Sequence, residues 1–325
     1  MLAFVTERVP ALEGPLDTIR RAFAHPVIGP ILKIVVFYIL LVEVGVQLIF
    51  GRIDVPLLHV GFLEVGRKAA SIPRGVFVQG AVIGGLYGLI GMGLILVYRA
   101  NRIINFAQAQ LGAIPAVAGL FLMSFHGWPY LVVVPLVIVG AVLLGGTVEV
   151  LFVRRFSQAP RLILTVVTIG VGFLLLVLEF FTKLWIAGSD KLISNDFKTP
   201  FNHVRFQFGQ VFLTGDHVTA VVVVAAIVVA LGAFFKFTDM GIAVRASAEN
   251  SERASLLGIP VRRVSTVVWI LAAVMSAVGV FLRAPLVGLP VTGFIGPALL
   301  LNGLAVAVIA RMESLPTAFF GGMLI

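Results

Sequence analysis

The chain contains no cysteine, which excludes disulfide staples and thiolate metal sites. Charge is scarce as well. Asp, Glu, Lys and Arg make up 12% of the 325 residues, about half of what a water-soluble domain uses to cover its surface. The five histidines, His25, His59, His126, His203 and His217, lie far apart in sequence and offer no zinc-ligand spacing, so no metal and no cofactor is expected. There is no H-E-x-x-H helix, no paired-Asp motif and no G-x-S-x-G elbow, which leaves no candidate catalytic groups. The G-x-x-x-x-G-K-[ST] phosphate loop is also missing, so any ATP hydrolysis must come from a different chain.

What the chain does have is apolar length: 60% hydrophobic residues and a mean hydropathy of +1.10. A bilayer-spanning helix needs about 20 apolar residues to cross a hydrocarbon core about 30 Å thick. Runs of roughly that kind stand at 28–50, 76–98, 106–125, 130–153, 162–185, 218–235, 264–282 and 298–310, and another begins at Pro316. None alternates polar and apolar residues as a membrane β-strand would. The expected fold is all-α, a polytopic transmembrane helical bundle of about eight complete or partial spans, with a truncated final span. The run at 298–310 is short and follows Pro285, Pro290 and Pro297, so the backbone there is expected to be broken or re-entrant. After Pro316 only TAFFGGMLI remains, too few residues to cross the core, so this last span is expected to be incomplete.

Orientation follows the basic residues. The net charge of +9 reads as Lys- and Arg-rich loops on one face of a membrane rather than as a nucleic-acid surface. Placing Arg154–Arg161, Lys236–Arg263, Arg311 and the N-terminal tail on the cytoplasmic side collects most of the positive charge there; Arg67, Lys68 and Arg74 fit this scheme least well. Two carboxylates sit inside apolar runs, and a charge at mid-span costs about 2.5–3.5 kcal/mol. Glu179 is one turn before Lys183, which favours a structural pair near the interface over a transport role. For Glu43 a packing role and a specific role stand level. Glu149 is expected to pair with the arginines that follow it. Thr165, Thr168 and Ser276 read as helix-packing hydrogen-bond donors.

The loop 236–263, KFTDMGIAVRASAENSERASLLGIPVRR, is the most informative stretch. Asn250 is placed to cap a helix, Glu249 and Glu252 favour the positive end of its dipole, Gly258 suits a left-handed terminus and Pro260 prevents continuation. About two turns lie between, too short to be stable alone, with Ala254, Leu256 and Leu257 among polar neighbours. A docking helix for a partner's groove and an amphipathic loop on the membrane are equally compatible with that pattern.

Here the residues resemble a known family. Glu252, Ala254 and Gly258 stand in the E-x-A-x-x-x-G spacing of the coupling loop of permeases in ATP-driven importers. Arg245-Ala-Ser-Ala-Glu-Asn followed by Ala254-Ser-Leu-Leu-Gly-Ile is similar to the branched-chain amino acid ABC transporter permease family. Arg102-Ile-Ile-Asn105-Phe106-Ala107, Glu149 with Arg154, Arg155 and Arg161, and the segment 305–316 also resemble that family. Two departures are Gln108-Ala109 in place of the usual His-Gly, and Ala310 and Arg311 where glycines are more common. The resemblance covers residues 76–325 and implies a permease domain there, with 1–75 an extension carrying one extra span.

It further implies a transport subunit rather than an enzyme, in a bacterial inner membrane with a cytoplasmic N-terminus. The expected partners are cytoplasmic ATP-binding subunits, a second permease half, homologous or fused, an extracytoplasmic substrate-binding protein and membrane lipid, with no nucleic acid. The implied ATPase-coupling residues are Arg245, Glu249, Asn250, Glu252, Ala254, Leu257 and Gly258. Asn105 and Gln108 are pathway candidates, because unwound backbone is tolerated at membrane depth where it meets protein or water; a helix cap explains them equally well. The substrate implied is a branched-chain or related small amino acid. A same-family permease for urea or short amides, and a proton-coupled secondary transporter using Glu43 or Glu179, are the alternatives.

Overall fold

A computed structural model describes residues 74–325 apart from 157–158, 188–196, 198, 209–210 and 290–294. The span expected at 28–50, with Glu43, lies outside the described residues. Chain order is α1 (Arg74–Asn101), α2 (Gln108–His126), α3 (Tyr130–Val148) continued by a π-helical turn (Glu149–Val153), and α4 (Arg161–Ala187). A hairpin of β1 (Arg205–Phe208) and β2 (Val211–Thr214) precedes α5 (Gly215–Phe237). Then come α6 (Asp239–Glu249), α7 (Ser251–Leu256), α8 (Val261–Val287), α9 (Gly296–Ile309) and α10 (Leu315–Leu324). Six of these, α1 to α5 and α8, are long and apolar enough to cross a membrane, and α9 and α10 are shorter apolar helices. The protein is an all-α, multi-pass membrane bundle whose described residues include one small hairpin.

Burial sorts the helices into two shells. α8 packs against α1, α2 and α3, while α1 also meets α9 and α10; α1, α2 and α8 are the most buried spans. Trp269 of α8, Phe121 of α2 and Leu86 and Leu89 of α1 are fully enclosed in the centre. The outer faces of α3, α4 and α5 expose Leu131, Leu143, Phe173, Phe181 and Val222. Such a surface suits hydrocarbon, where the hydrophobic effect does not drive helices together and close contact must do so instead. Small residues supply that contact. A Cβ on Gly112 would strike the Ser276–Ala277 backbone, and one on Gly84 would strike the Gly322 carbonyl, so α2 lies directly on α8 and α1 on α10.

Two breaks interrupt this packing at depth. The segment 102–107 between α1 and α2 is non-helical, yet it delivers Gln108 beside Ala272, about 17 Å along α8 from Val261 at 1.5 Å per residue. The α8-to-α9 connection contains the second break, and α9 covers only 14 residues, or about 21 Å. α8 ends at Val287 and α9 begins at Gly296, with Pro285 accommodated inside α8 and Pro297 in the first turn of α9, while Pro290 lies outside the described residues.

At the end of the bundle that carries α6 and α7, Glu149 is buried beneath the π-helical turn. Arg154 Nη2 donates to its Oε2 at 3.1 Å and Thr266 Oγ1 donates to the same oxygen at 2.9 Å. The expected partnership with a following arginine is present, and Thr266 ties it to α8.

Candidate functional site

The candidate site starts with α6 and α7, whose boundaries follow from local chemistry. Thr238 Oγ1 accepts from the Gly241 N–H at 2.9 Å and starts α6, and Asn250 Oδ1 accepts from the Arg253 N–H at 2.9 Å and starts α7. Each fills an otherwise unpaired first-turn amide. Gly258 has φ +83°, a conformation that strains any side chain, and its N–H donates to the Ser255 carbonyl at 3.0 Å. α8 begins one residue after Pro260. Helix α6 is an addition to the sequence expectation, which recognised only the second turn-bounded segment.

α7 has six residues, too few to persist by its own hydrogen bonds, so its position depends on what lies behind it. Ala254 is turned inward and buried, whereas Leu256 and Leu257 are 86% and 81% exposed. Arg245, Glu249, Asn250, Glu252 and Gly258 are exposed around them. Of the residues expected to couple to an ATPase, Ala254 is the one that is buried. On so short a helix one small residue must face the bundle, and the apolar pair projects on the other side. The geometry leaves Ala254 as packing that seats α7 and makes Leu256 part of the projecting face.

A polar chain leads from this loop into the bundle. Val244, Ser247 and Ala248 bury the inner side of α6, and Arg102 Nη2 donates to the Ala248 carbonyl at 2.6 Å. Arg102 closes α1 with a left-handed φ of +56°, and neighbouring Asn101 donates to Ser265 Oγ of α8 at 3.0 Å. A cavity of about 340 Å³ opens beside this contact, lined by Leu96, Arg99, Val244, Arg245, Glu313 and Pro316 among others. One short charged hydrogen bond thus connects α6 to the α1–α2 joint.

The joint itself is a closed polar knot. Asn105 and Gln108 are fully buried. Asn105 Oδ1 accepts from the Ala107 N–H at 3.0 Å and its Nδ2 donates to Gln108 Oε1 at 3.1 Å. Gln108 Nε2 donates to the Ala272 carbonyl at 2.9 Å and to Ser276 Oγ at 3.0 Å, and Ser276 Oγ donates back to the Gln108 carbonyl at 2.9 Å. The Phe106 N–H is met by Thr168 Oγ1 at 3.2 Å. Every polar atom of Gln108 faces another polar atom of the knot, as low-dielectric burial requires. In this state neither residue faces an open channel. Ser276 and Thr168 serve as helix-packing groups; Thr165 bonds only within its own helix, to the Arg161 carbonyl.

A second buried polar group was not assembled from the sequence. Lys183 Nζ lies 2.9 Å from Glu179 Oε1, with side chains 3% and 0% exposed. The pair forms as its one-turn spacing predicts, and the protein encloses both side chains. The Ile295 amide at the start of α9 faces the same carboxylate. Nearby, Gln110 is buried and its amide lies against Gly296, the first residue of α9. A glutamine two positions after Gln108 in an apolar helix start was the available signal. Among the described residues no group of three or more His, Asp or Glu could hold a metal ion. Nor does either polar group, as described, pair a nucleophile with a base.

The comparisons agree on one family. The family model for the branched-chain amino acid transport system permease component matches residues 76–325. The high-affinity branched-chain amino acid transport system permease protein LivH of Escherichia coli K12 is 27% identical over 258 residues, covering 76% of this chain and 82% of the relative. A probable branched-chain amino acid transport permease protein LivH of Methanocaldococcus jannaschii is 26% identical, covering 77% and 78%. The high-affinity permease protein BraD of Pseudomonas aeruginosa is 24% identical, covering 76% and 82%. No solved structure matches the chain.

Proposed function

The chain belongs to the branched-chain amino acid transport permease family, and from that premise we propose that it is the membrane-embedded permease subunit of an ATP-driven importer for branched-chain or related small amino acids. Residues 76–325 form the permease domain, and 1–75 add an extension with one extra span. An extracytoplasmic binding protein delivers substrate, a second permease half completes the pathway, and separate cytoplasmic subunits hydrolyse ATP. The membrane is the bacterial plasma membrane, with the N-terminus, α6 and α7 on the cytoplasmic side.

One observation carries this proposal. Leu256 and Leu257 project from a helix that is capped by Asn250, seated by Ala254 and linked through Ala248 and Arg102 to a joint at membrane depth. Two exposed leucines on a pinned helix are the pattern of an apolar anchor for a groove. Arg245, Glu249, Asn250, Glu252, Leu257 and Gly258 flank or form that surface. Closure of the ATPase pair on α7 would pull α6, and Arg102 would carry the displacement to 102–107. Asn105 and Gln108 would face the pathway only once α2 separates from α8, and in the present state their hydrogen bonds hold the two together. The proton-coupled alternative has less support, because Glu179 is already engaged with Lys183 at 2.9 Å.

Purification of the full chain with its membrane partners tests the proposal. An ATPase should co-purify, and its hydrolysis should rise when loaded binding protein is added. A purified chain that moves leucine with no ATPase present would overturn it.

A further inference from the structure

We propose that the start of α9, with Gln110, Glu179 and Lys183, is a recognition station for an amino-acid zwitterion, with Glu179 receiving the ammonium group, Lys183 and the first turn of α9 receiving the carboxylate, and the Gln110 amide joining in. This rests on the importer proposal above and names the groups that read its substrate.

The station combines independent features. α9 begins at Gly296 and Pro297, and its cap residue Ile295 has no side chain that could bond the first turn; since Pro297 brings no N–H, the Gly296 and Ala298 amides and the positive end of the dipole are what this end offers an anion. Gln110, 4% exposed, has an Oε1 without a hydrogen-bond partner among the described residues. Its side chain is aimed at that helix start: a Cβ on Gly296 would lie 2.6 Å from Gln110 Cδ and Nε2. Beside them the Glu179–Lys183 pair is fully enclosed, and neither carboxylate oxygen has a well-formed hydrogen bond. Glu179 stands about 27 Å along α4 from Arg161 at 1.5 Å per residue, on the far side of the bundle from α7.

An enclosed ion pair is weak evidence for a stabilising role, since apolar side chains of similar volume often serve as well or better. A buried carbonyl left without a donor is also costly. Both features make sense if a ligand completes them. A zwitterion carries the same two charges as the pair, so its entry keeps the site neutral. Its ammonium group takes the place of Lys183 on Glu179 while its carboxylate takes the place of Glu179 on Lys183 and reaches the α9 amides. Gln110 Oε1 gains a donor from the ammonium group. In the empty state the two side chains neutralise each other and the site stays closed. An uncharged amide would make no use of either charge.

The test uses the complete transporter in proteoliposomes, with leucine as the probe and leucine moved per ATP hydrolysed as the readout. Glu179→Leu with Lys183→Leu removes the charges without leaving either one unpaired. We expect this double variant to assemble, to keep its ATPase response to loaded binding protein, and to move about 10- to 100-fold less leucine per ATP, the loss of one or two charge-assisted hydrogen bonds. An unchanged ratio overturns the station and leaves the importer intact. If the double variant does not assemble, Gln110→Leu decides, because it removes a carbonyl that has no partner; an unchanged ratio there overturns the station as well. Wild-type complex that carries uncharged amides and rejects leucine also overturns it. Wild-type complex without ATP-dependent transport of any kind contradicts the importer proposal instead.

Discussion

Replacing Leu256 and Leu257 together by alanine probes the projecting face of α7 with little effect on the rest of the chain. The two side chains are 86% and 81% exposed, so removing three carbons from each leaves no internal cavity and should change the stability of the isolated chain by less than about 0.5 kcal/mol. Docking into a groove would take the same carbons out of water. At about 0.8 kcal/mol per buried CH₂ group, six carbons give an upper value near 5 kcal/mol. Imperfect burial and the freedom lost on association reduce the expected effect to about 2–4 kcal/mol, or about 30- to 1,000-fold in dissociation constant. The assay is titration of the ATPase subunits onto the permease in nanodiscs, with thermal unfolding of the permease alone as control. Ala254→Trp supplies a contrast: this buried residue should lower stability by about 1–3 kcal/mol through overpacking and weaken docking only by displacing α7. Unchanged affinity in the double-alanine variant would refute the docking surface.

Gln108→Leu should destabilise the bundle by about 1–3 kcal/mol, because Asn105 Nδ2 loses its acceptor; unfolding in detergent measures this, and an unchanged Tm would contradict the knot. Arg311→Gly should raise stability by up to about 1 kcal/mol, since Arg311 is exposed and left-handed at φ +54°; a lowered Tm would show a contact that offsets the strain. In the cysteine-free chain, Ser255→Cys should be shielded from impermeant thiol reagents in intact cells and His203→Cys should react. The reverse pattern would invert the orientation.

Local signals were the most readable. Asn250, Gly258 and Pro260 marked α7 because capping, a left-handed terminus and the missing N–H each act within a few residues. Pro297, in the first turn of α9, acts with the same locality. Helix α6 was less legible, because its Thr238 cap is a common polar residue after a span and its buried face is three small residues and a valine. Which side of α7 carries Ala254 depended on α8, more distant information than spacing carries. Glu179 and Lys183 were paired correctly from their one-turn interval, but their enclosure comes from other helices. Gln110 stood out only as a polar residue in an apolar helix start, and nothing in its neighbourhood specifies that Gly296, nearly 190 residues later, packs on its amide.

The most direct measurement is leucine uptake by vesicles containing the complete transporter and its binding protein, with ATP and the proton gradient controlled separately. With ATP supplied to the ATPase side and the gradient collapsed, uptake should continue, and it should stop when a non-hydrolysable analogue replaces ATP. Uptake that runs on an imposed proton gradient without ATP would contradict the assignment of this chain as the permease of an ATP-driven importer.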